Sequence, residues 1–463
     1  MPASLTTASS ILKRFYTKKI AETLNNEALI ADLIEESPFP WQGSEIKAPV
    51  HLSRNSGIAF IAESGSLPAA GSQGYRDLTI TTSELAARFQ VSTRAMKGAS
   101  SAGPGAFAGI LDQEMTRIKD DVKQFNDQAY LFGGRCKGVL NEHISTGNTA
   151  GVACTVAAPG GADAVHDYQG DFRPFASVVT ANALTWVRVR VLRSDTLAEV
   201  VPTGAGAAGG AVFVSAFSTA NRTVTLTVVS NVAGAVALDM SAGTMGAGMD
   251  GKGFILAMHP TQYVDSLGAN FGTNYNFSLE PRGILGNLFD PDHWGVDRTT
   301  ATGTATTLQS TLLTSATAGV HALTAISAGR VQGVFDEVRI KCDEDPDTII
   351  LSPLQRAAYV AAVAGTTSYF VNQGRPSDLV PQADKIAGIK FKTSQHWPKH
   401  AALMLQGKKE IYLARYAAPG FMDEDGEILT RVPGTAAYEG AWQQFDNLFF
   451  CAPQRHAVLC GIS

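Results

Sequence analysis

The chain has 463 residues, room for about two to four domain-sized units. Only 17 % of them are charged, against about 25 % in ordinary soluble domains, which suits a protein that hides much of its surface in partners. The net charge of −5, from 37 Lys and Arg against 42 Asp and Glu, excludes a nucleic-acid binder that grips phosphates by bulk positive charge.

The N-terminus, "MPASLTTASSILKRFYTKKIAETL", has no apolar stretch after its basic residues and is not read as a secretory signal. No run reaches the ~18 apolar residues of a membrane-spanning helix. Residues 8–24 are predicted as a short amphipathic helix, with Ile11, Leu12, Phe15, Ile20 and Leu24 near one face and Ser9 or Ser10 as cap. The two prolines of "ESPFPWQG" then break the chain, which makes this region an arm.

A long hairpin follows. "IKAPVHLSR" and "GIAFIAE" are predicted to run outward, "SGSLPAAGSQGY" to reverse, and "RDLTITTSELAARFQVS" to return, with Leu78, Ile80 and Leu85 among polar neighbours. A lone two-stranded ribbon is marginal in water. Its support is expected from another surface, and another copy of the chain is the surface expected.

From Ala106 to Phe132 the residues Leu111, Met115, Ile118, Val122, Phe125, Ala129 and Phe132 recur at alternating steps of four and three. That is a narrow apolar stripe on a helix, about 40 Å long at ~1.5 Å per residue. Gly133 and Gly134 are its stop. Asp112, Glu114, Lys119, Asp120, Asp121 and Lys123 are read as its solvated face.

Lysine is then absent between Lys137 and Lys252. "TWVRVRVL", "AVFVSAF" and "RTVTLTVVS" alternate, placing Val187, Val189 and Val191 on one face and Val224, Leu226 and Val228 on another. This predicts a β-rich insertion over 165–250, folded as a small antiparallel sandwich or barrel. Residues 252–320 show few periodic runs. From 321 the pattern is α/β: "HALTAISAGRVQGVFDEV" as helix, "DTIILS" as buried strand, and "PLQRAAYVAAVAG" as helix with Pro353 in its first turn. "GIKFKTS", "HAALMLQ", "EIYLARY", "LFFCAP" and "AVLCGI" are read as strands.

The chemical motifs fail one by one. "GAGAAG" (Gly204 to Gly209) matches a dinucleotide fingerprint, but the strand-like "AVFVSAF" follows it where a helix is required. "GAGMDGKG" (Gly246 to Gly253) has Gly253 where a P-loop needs Ser or Thr for Mg²⁺. "DEDG" (Asp423 to Gly426) lacks the rest of a calcium loop, and "CDEDPD" (Cys342 to Asp347) is read likewise as an exposed acidic turn. In "DPDHW", Asp290, Asp292 and His293 could be ligands or an acid/base pair, but a turn anchored by Trp294 is the preferred reading. Cys136, Cys154, Cys342, Cys451 and Cys460 are odd in number and widely spaced, which argues for buried thiols rather than a disulfide or zinc framework. No catalytic, cofactor-binding or metal-binding residue is assigned, and the chain is not read as an enzyme.

The order of parts carries a resemblance. Arm, long hairpin, long helix, inserted β unit, α/β unit and final β segment, with the wording "GIAFIAESGSLPAAG" followed by "FQVSTRAMKGAS" and later "PDTIILSPLQRAAYV", resemble the tailed-bacteriophage major capsid proteins of the HK97 fold. The resemblance implies an α+β fold. Its parts would be an N-terminal arm (1–44), an E-loop hairpin (45–97), the spine helix of the peripheral (P) domain (98–137), a connection (138–164) and the β-rich insertion domain (165–250). An irregular connection (251–320), the α/β part of the axial (A) domain (321–386) and a β-rich A/P-domain return (387–463) would follow. In that family the hairpin lies across a neighbouring subunit.

The function implied is self-assembly of pentamers and hexamers into an icosahedral shell that encloses a double-stranded DNA genome without sequence-specific contact. The partners implied are the chain itself, a portal, and separate scaffold or decoration proteins, with no membrane. The place implied is the virion, after assembly in the bacterial host cytoplasm. Some relatives crosslink a hairpin lysine to a neighbouring asparagine; here no lysine lies between Lys47 and Lys97, so no such link is expected. About 44 residues precede the hairpin, too few for a fused scaffold, so a separate scaffold or none is expected. The insertion is read either as a steadying surface domain or as a brace or dock between capsomers. The alternatives are an encapsulin-like cargo container and a β-rich binding or adhesin protein.

Overall fold

The computed structural model describes residues 29–63, 65–94, 104–140, 150–151, 164–176, 186–201, 203–204, 211–229, 236–238, 252–260, 263–264, 270–271, 277–299, 308–314, 324–366, 385–386, 389–407, 410–423 and 428–462. The predicted arm helix at 8–24 lies outside them.

The hairpin stem is β1 (Glu45–Ser53) paired antiparallel with β2 (Gly74–Thr81). In β1 alternate residues are buried, so Ile46, Ala48, Val50 and Leu52 share the inner face. "GIAFIAE" forms no strand, contrary to the expectation. Pairing ends where Gly74 meets Ser53, and the described residues of the Gly-, Ser- and Pro-rich segment beyond form no strand ladder. The returning limb is also not one strand. It divides at Thr82, and β3 (Ser83–Ser92) pairs with a distant strand, Ala437–Phe450, instead of continuing the hairpin.

The long helix α1 (Pro104–Phe132) begins at a proline, whose missing N–H costs nothing in a first turn. Along the stripe Val122, Ala129 and Phe132 are buried, but Phe125 is 49 % exposed; Leu111 lies outside the described side chains. Helix α1 ends at Gly134, which has φ +81°, a left-handed conformation that glycine adopts without strain.

Beyond α1 lies a closed six-stranded antiparallel barrel. Its strands in chain order are β4 (Cys136–Leu140), β5 (Ala164–Gly170), β6 (Val187–Arg193), β7 (Ala211–Ser218), β8 (Thr223–Val229) and β9 (Phe254–Met258). Around the barrel the order is β7, β8, β5, β4, β9, β6. Val187, Val189, Val191, Val224 and Leu226 fill its interior with Tyr168, Phe175 and Phe254. The alternation placed Val187, Val189, Val191, Val224 and Leu226 on these faces; the Val228 side chain lies outside the described ones. The barrel nonetheless reaches past 165–250, because β4 and β9 supply two of its staves. Both are buried at every position, and continuous burial leaves no alternation to read.

The segment after the barrel contains a short buried helix, α2 (Ile284–Phe289), where only irregular structure was expected. Next come β10 (Thr311–Leu313), α3 (Ala328–Lys341), β11 (Thr348–Leu351), α4 (Pro353–Thr366), β12 (Ile389–Thr393), β13 (Ala401–Leu405), β14 (Ile411–Phe421), β15 (Ala437–Phe450) and β16 (Ala457–Cys460). Helix α3 starts later than the pattern suggested, at the cap Ser327, whose side chain accepts the Arg330 N–H. A mixed sheet runs β10, β16, β13, β11, β12 and then Lys385–Ile386. One of its faces packs on Val331, Val334, Phe335 and Val338 of α3 and Tyr359 of α4. The final segment therefore serves two sheets: β13 and β16 join this one, while in another β15 lies between β14 and β3 and pairs with both.

One core joins the units. Tyr130, Leu131 and Phe132 of α1, Leu285 and Leu288 of α2, Val139 and Ile255 on the barrel, Leu403 and Val458 on the mixed sheet, and Leu448 on β15 are contiguous. Each large apolar side chain buried there contributes about 1.5–3 kcal/mol.

Candidate functional site

The hairpin divides into an anchored stem and a free tip. Ile46, Ala48, Val50, Leu52, Leu78 and Ile80 pack against Trp294, Val296, Leu308, Ala414 and Phe449 of the same chain. The stem thus rests on its own subunit, a correction to the expectation that another copy of the chain supports it. The tip does not. Phe60 is fully exposed, Ile58 is 84 % exposed and Leu67 81 %. Three large apolar side chains exposed on one short segment suit a binding surface.

The anchor is built from the "DPDHW" turn. Asp292–His293 pairs with Val296–Asp297 as a tight ribbon. Trp294, inside it, takes φ +54°, a left-handed conformation that costs a bulky residue about 1–3 kcal/mol and persists only under external restraint. The restraints are visible. The Trp294 indole donates to Asn287 Oδ1 at 2.9 Å, and the Arg282 guanidinium lies 4.2 Å from the ring centroid. The turn then holds the hairpin, for the Thr79 N–H donates to the Trp294 carbonyl at 2.9 Å. On the other side Asn447 Nδ2 donates to the Thr81 carbonyl at 2.8 Å.

Arg298 sits beneath the turn with no exposed surface. Its guanidinium donates to the carbonyls of Asn287, Leu288, Asp290 and Leu308 at 2.8–3.1 Å. These include the orphan carbonyls at the end of α2, so Arg298 closes that helix as a cation favoured by its dipole. Burial pulls the guanidinium down to about 10, with Asp290 opposing. His293 and His456 are both buried. Burial holds His293 well below the ordinary imidazole range, aided by Arg298 and Arg282, and pushes His456 down to about 3, aided by Arg455.

An ion pair with only its cation fully buried fixes the elbow between α1 and the barrel. Lys137, without exposed surface, is ion-paired with Glu280 and donates to the Phe132 carbonyl at 3.1 Å. Burial lowers the Lys137 ammonium, and Glu280 opposes that shift.

The structure brings Asp290, Asp292 and His293 together, but each serves the fold. Asp290 pairs with Arg135 at 3.2 Å and Arg282 at 3.6 Å, Asp292 Oδ1 accepts the Gly295 N–H at 3.0 Å, and His293 Nε2 meets the Phe450 carbonyl at 2.9 Å. In "CDEDPD", Asp345 pairs with Arg339 and Asp347 accepts the Gly407 N–H at 2.6 Å. Gly253 leads into β9 rather than a helix. Of "GAGAAG" only Gly204 is described, and Glu424, Asp425 and Gly426 lie outside the described residues, as does Cys154. Among the described residues no group of three or more His, Cys, Asp and Glu is placed to hold a metal ion. No helix among them is long and apolar enough to cross a membrane. The sequence carries no mark of Arg298 or Asn287; an arginine nine positions past the short apolar run that ends at Phe289 has no pattern that shows it buried.

No protein-family model and no curated protein matches the sequence. Among solved structures the chain is similar to the capsid of a native GTA particle, at 10 % identity over 100 % of this chain and 99 % of that one, with a TM-score of 0.46. It is similar to the capsid of cyanophage A-1(L), at 10 % identity over 99 % of both chains, with a TM-score of 0.45. It is also similar to the SrpI encapsulin from Synechococcus elongatus PCC 7942, at 9 % identity over 100 % of this chain and 97 % of that one, with a TM-score of 0.41.

Proposed function

We propose that this chain is the repeating subunit of a closed icosahedral shell, a phage major capsid protein that encloses double-stranded DNA. The observation that carries the reading is the hairpin: a stem fastened to its own core, and a tip whose Ile58, Phe60 and Leu67 face outward. An exposed apolar tip on an anchored stem calls for a receiving surface. In a heterologous contact a second copy supplies it, and repetition of that contact closes a shell.

The mechanism is assembly rather than catalysis. The stem sets the direction of reach, α1 and the β3–β15–β14 sheet form the wall, and the mixed sheet with α3 and α4 gathers at the capsomer axes. The mildly acidic balance suits a wall that contains DNA without gripping it. The barrel steadies the subunit, with a portal and separate scaffold or decoration proteins as further partners. The site of action is the virion, assembled in the host cytoplasm.

Electron microscopy of the full-length chain, expressed alone and with its neighbouring genes, tests this reading. Uniform closed shells in either preparation support it, and nuclease-protected DNA in shells from the second separates a genome container from a protein-cargo container. Soluble monomers in both preparations would overturn it.

A further inference from the structure

Two buried histidines from different segments converge on Phe450, the last residue of β15. His293 Nε2 donates to the Phe450 carbonyl at 2.9 Å. The His456 ring lies 4.7 Å from the Phe450 ring, centroid to centroid. All three residues have no exposed surface.

The hydrogen bonds fix both tautomers. His293 must carry its proton on Nε2 to donate to a carbonyl, which leaves Nδ1 bare, and that atom is buried without a partner. His456 Nδ1 accepts the Gln406 backbone N–H at 3.1 Å, so its proton is also on Nε2. A second proton therefore arrives at Nδ1 in each ring. In His456 it sets a new N–H against the Gln406 N–H, two donors face to face. In His293 it creates a buried donor with no acceptor.

The charged surroundings do not relieve either cation. Arg282 and Arg298 act on His293. The acids of its own turn are engaged: Asp290 by Arg135 and Arg282, Asp292 by the Gly295 N–H, Asp297 by Thr299. Helix α2 presents the neutral Asn287 and β15 its Phe450 carbonyl. Arg455 acts on His456, and the carboxylates of Glu410 and Glu344 are paired to that arginine at 2.5 and 3.6 Å. From α3, Lys341 donates to the carbonyls of Gln309 and Ser310, next to the Thr311 N–H that bonds the His456 carbonyl.

We propose that His293 and His456 form an acid-release latch: protonation at Nδ1 expels the rings from Phe450, frees the Trp294 turn and lets the hairpin stem detach from the body. The coupling is short. His293 precedes Trp294, whose strained backbone holds Thr79 through its carbonyl. Trp294 and Val296 share one core with Ile46, Leu78 and Ile80. The latch belongs to the single chain, so it stands or falls independently of shell formation.

The test is amide hydrogen exchange on the full-length chain, corrected for intrinsic rates, between about pH 7 and about pH 4.5. Protection in β1 and β2 is expected to fall at least about tenfold while β6 of the barrel keeps its protection. In the double variant His293→Gln, His456→Asn, Gln supplies the Nε2 donor and Asn the Nδ1 acceptor, but neither gains a proton. Its hairpin protection is expected to change less than about threefold over the same range. An equal loss in the variant, or no loss in the wild-type chain, overturns the latch. If the variant does not fold, deuterium exchange at Cε1 of each wild-type ring gives its own titration. Both rings are expected to stay neutral until hairpin protection is lost; protonation of either ring with the hairpin still protected overturns the proposal.

Discussion

The Tyr130 hydroxyl donates a 2.6 Å hydrogen bond to Asp446 Oδ2, tying the last turn of α1 to β15. Gln444 Nε2 donates to the Tyr130 oxygen at 3.1 Å, and Asn126 Nδ2 to Gln444 Oε1 at 2.9 Å. This polar seam, Asn126–Gln444–Tyr130–Asp446, aligns helix and sheet in one register, which apolar packing alone does not do.

Burial holds the Asp446 carboxyl above its ordinary range, although the Tyr130 and Gln444 hydrogen bonds and Arg415 pull it down. The folded state therefore binds the proton more tightly than the unfolded chain does. Stability should fall as pH rises from the ordinary carboxylate value through the raised one, then level off. Asp446→Asn keeps an acceptor for Tyr130 and removes the charge, so this slope should flatten. Tyr130→Phe should cost about 1–3 kcal/mol at neutral pH and less in mild acid. Urea unfolding across that range measures both.

Replacing Arg298 with Met should destabilise the chain by about 3–5 kcal/mol, since four buried carbonyls lose their donor together. Arg298→Lys should recover less than half of the loss, because an ammonium cannot reproduce the planar fork. Chemical denaturation reads the stability, and amide exchange of the Thr79 N–H, which the Trp294 carbonyl accepts, reports whether the turn above has loosened.

The tip should be silent in the monomer and decisive in assembly. Ile58→Asp with Phe60→Ser should change unfolding free energy by no more than about 0.5 kcal/mol, since neither side chain is covered. The same pair should abolish closed shells in light scattering and microscopy. Retained assembly would remove the hairpin tip from the interface.

Gly134→Ala should cost about 1–2 kcal/mol for its left-handed backbone. Gly133→Ala should cost more. A Cβ there would lie 2.1 Å from the Pro281 carbonyl oxygen and 2.5 Å from that of Ala129, and backbone does not swing aside. Thermal unfolding of the two variants gives the order directly.

The sequence alone determined much of the local structure. The four-and-three spacing specified α1, the double glycine its end, and the alternating apolar residues of β6 and β8 the buried faces of those strands, with sandwich or barrel left open. Residue periodicity records which face of a segment is buried, so these features were legible. It does not record what covers that face. Tertiary structure alone decided that the returning limb breaks at Thr82, because β3 finds its partner in β15, with Ser83 and Asp446 363 positions apart. It alone recruited β4 and β9 into the barrel, since fully buried strands show no alternation. It also turned "DPDHW" from a possible acid/base pair into the anchor of the hairpin. That role depends on Asn287, Arg298, Thr79 and Phe450, four residues that only folding brings to one place.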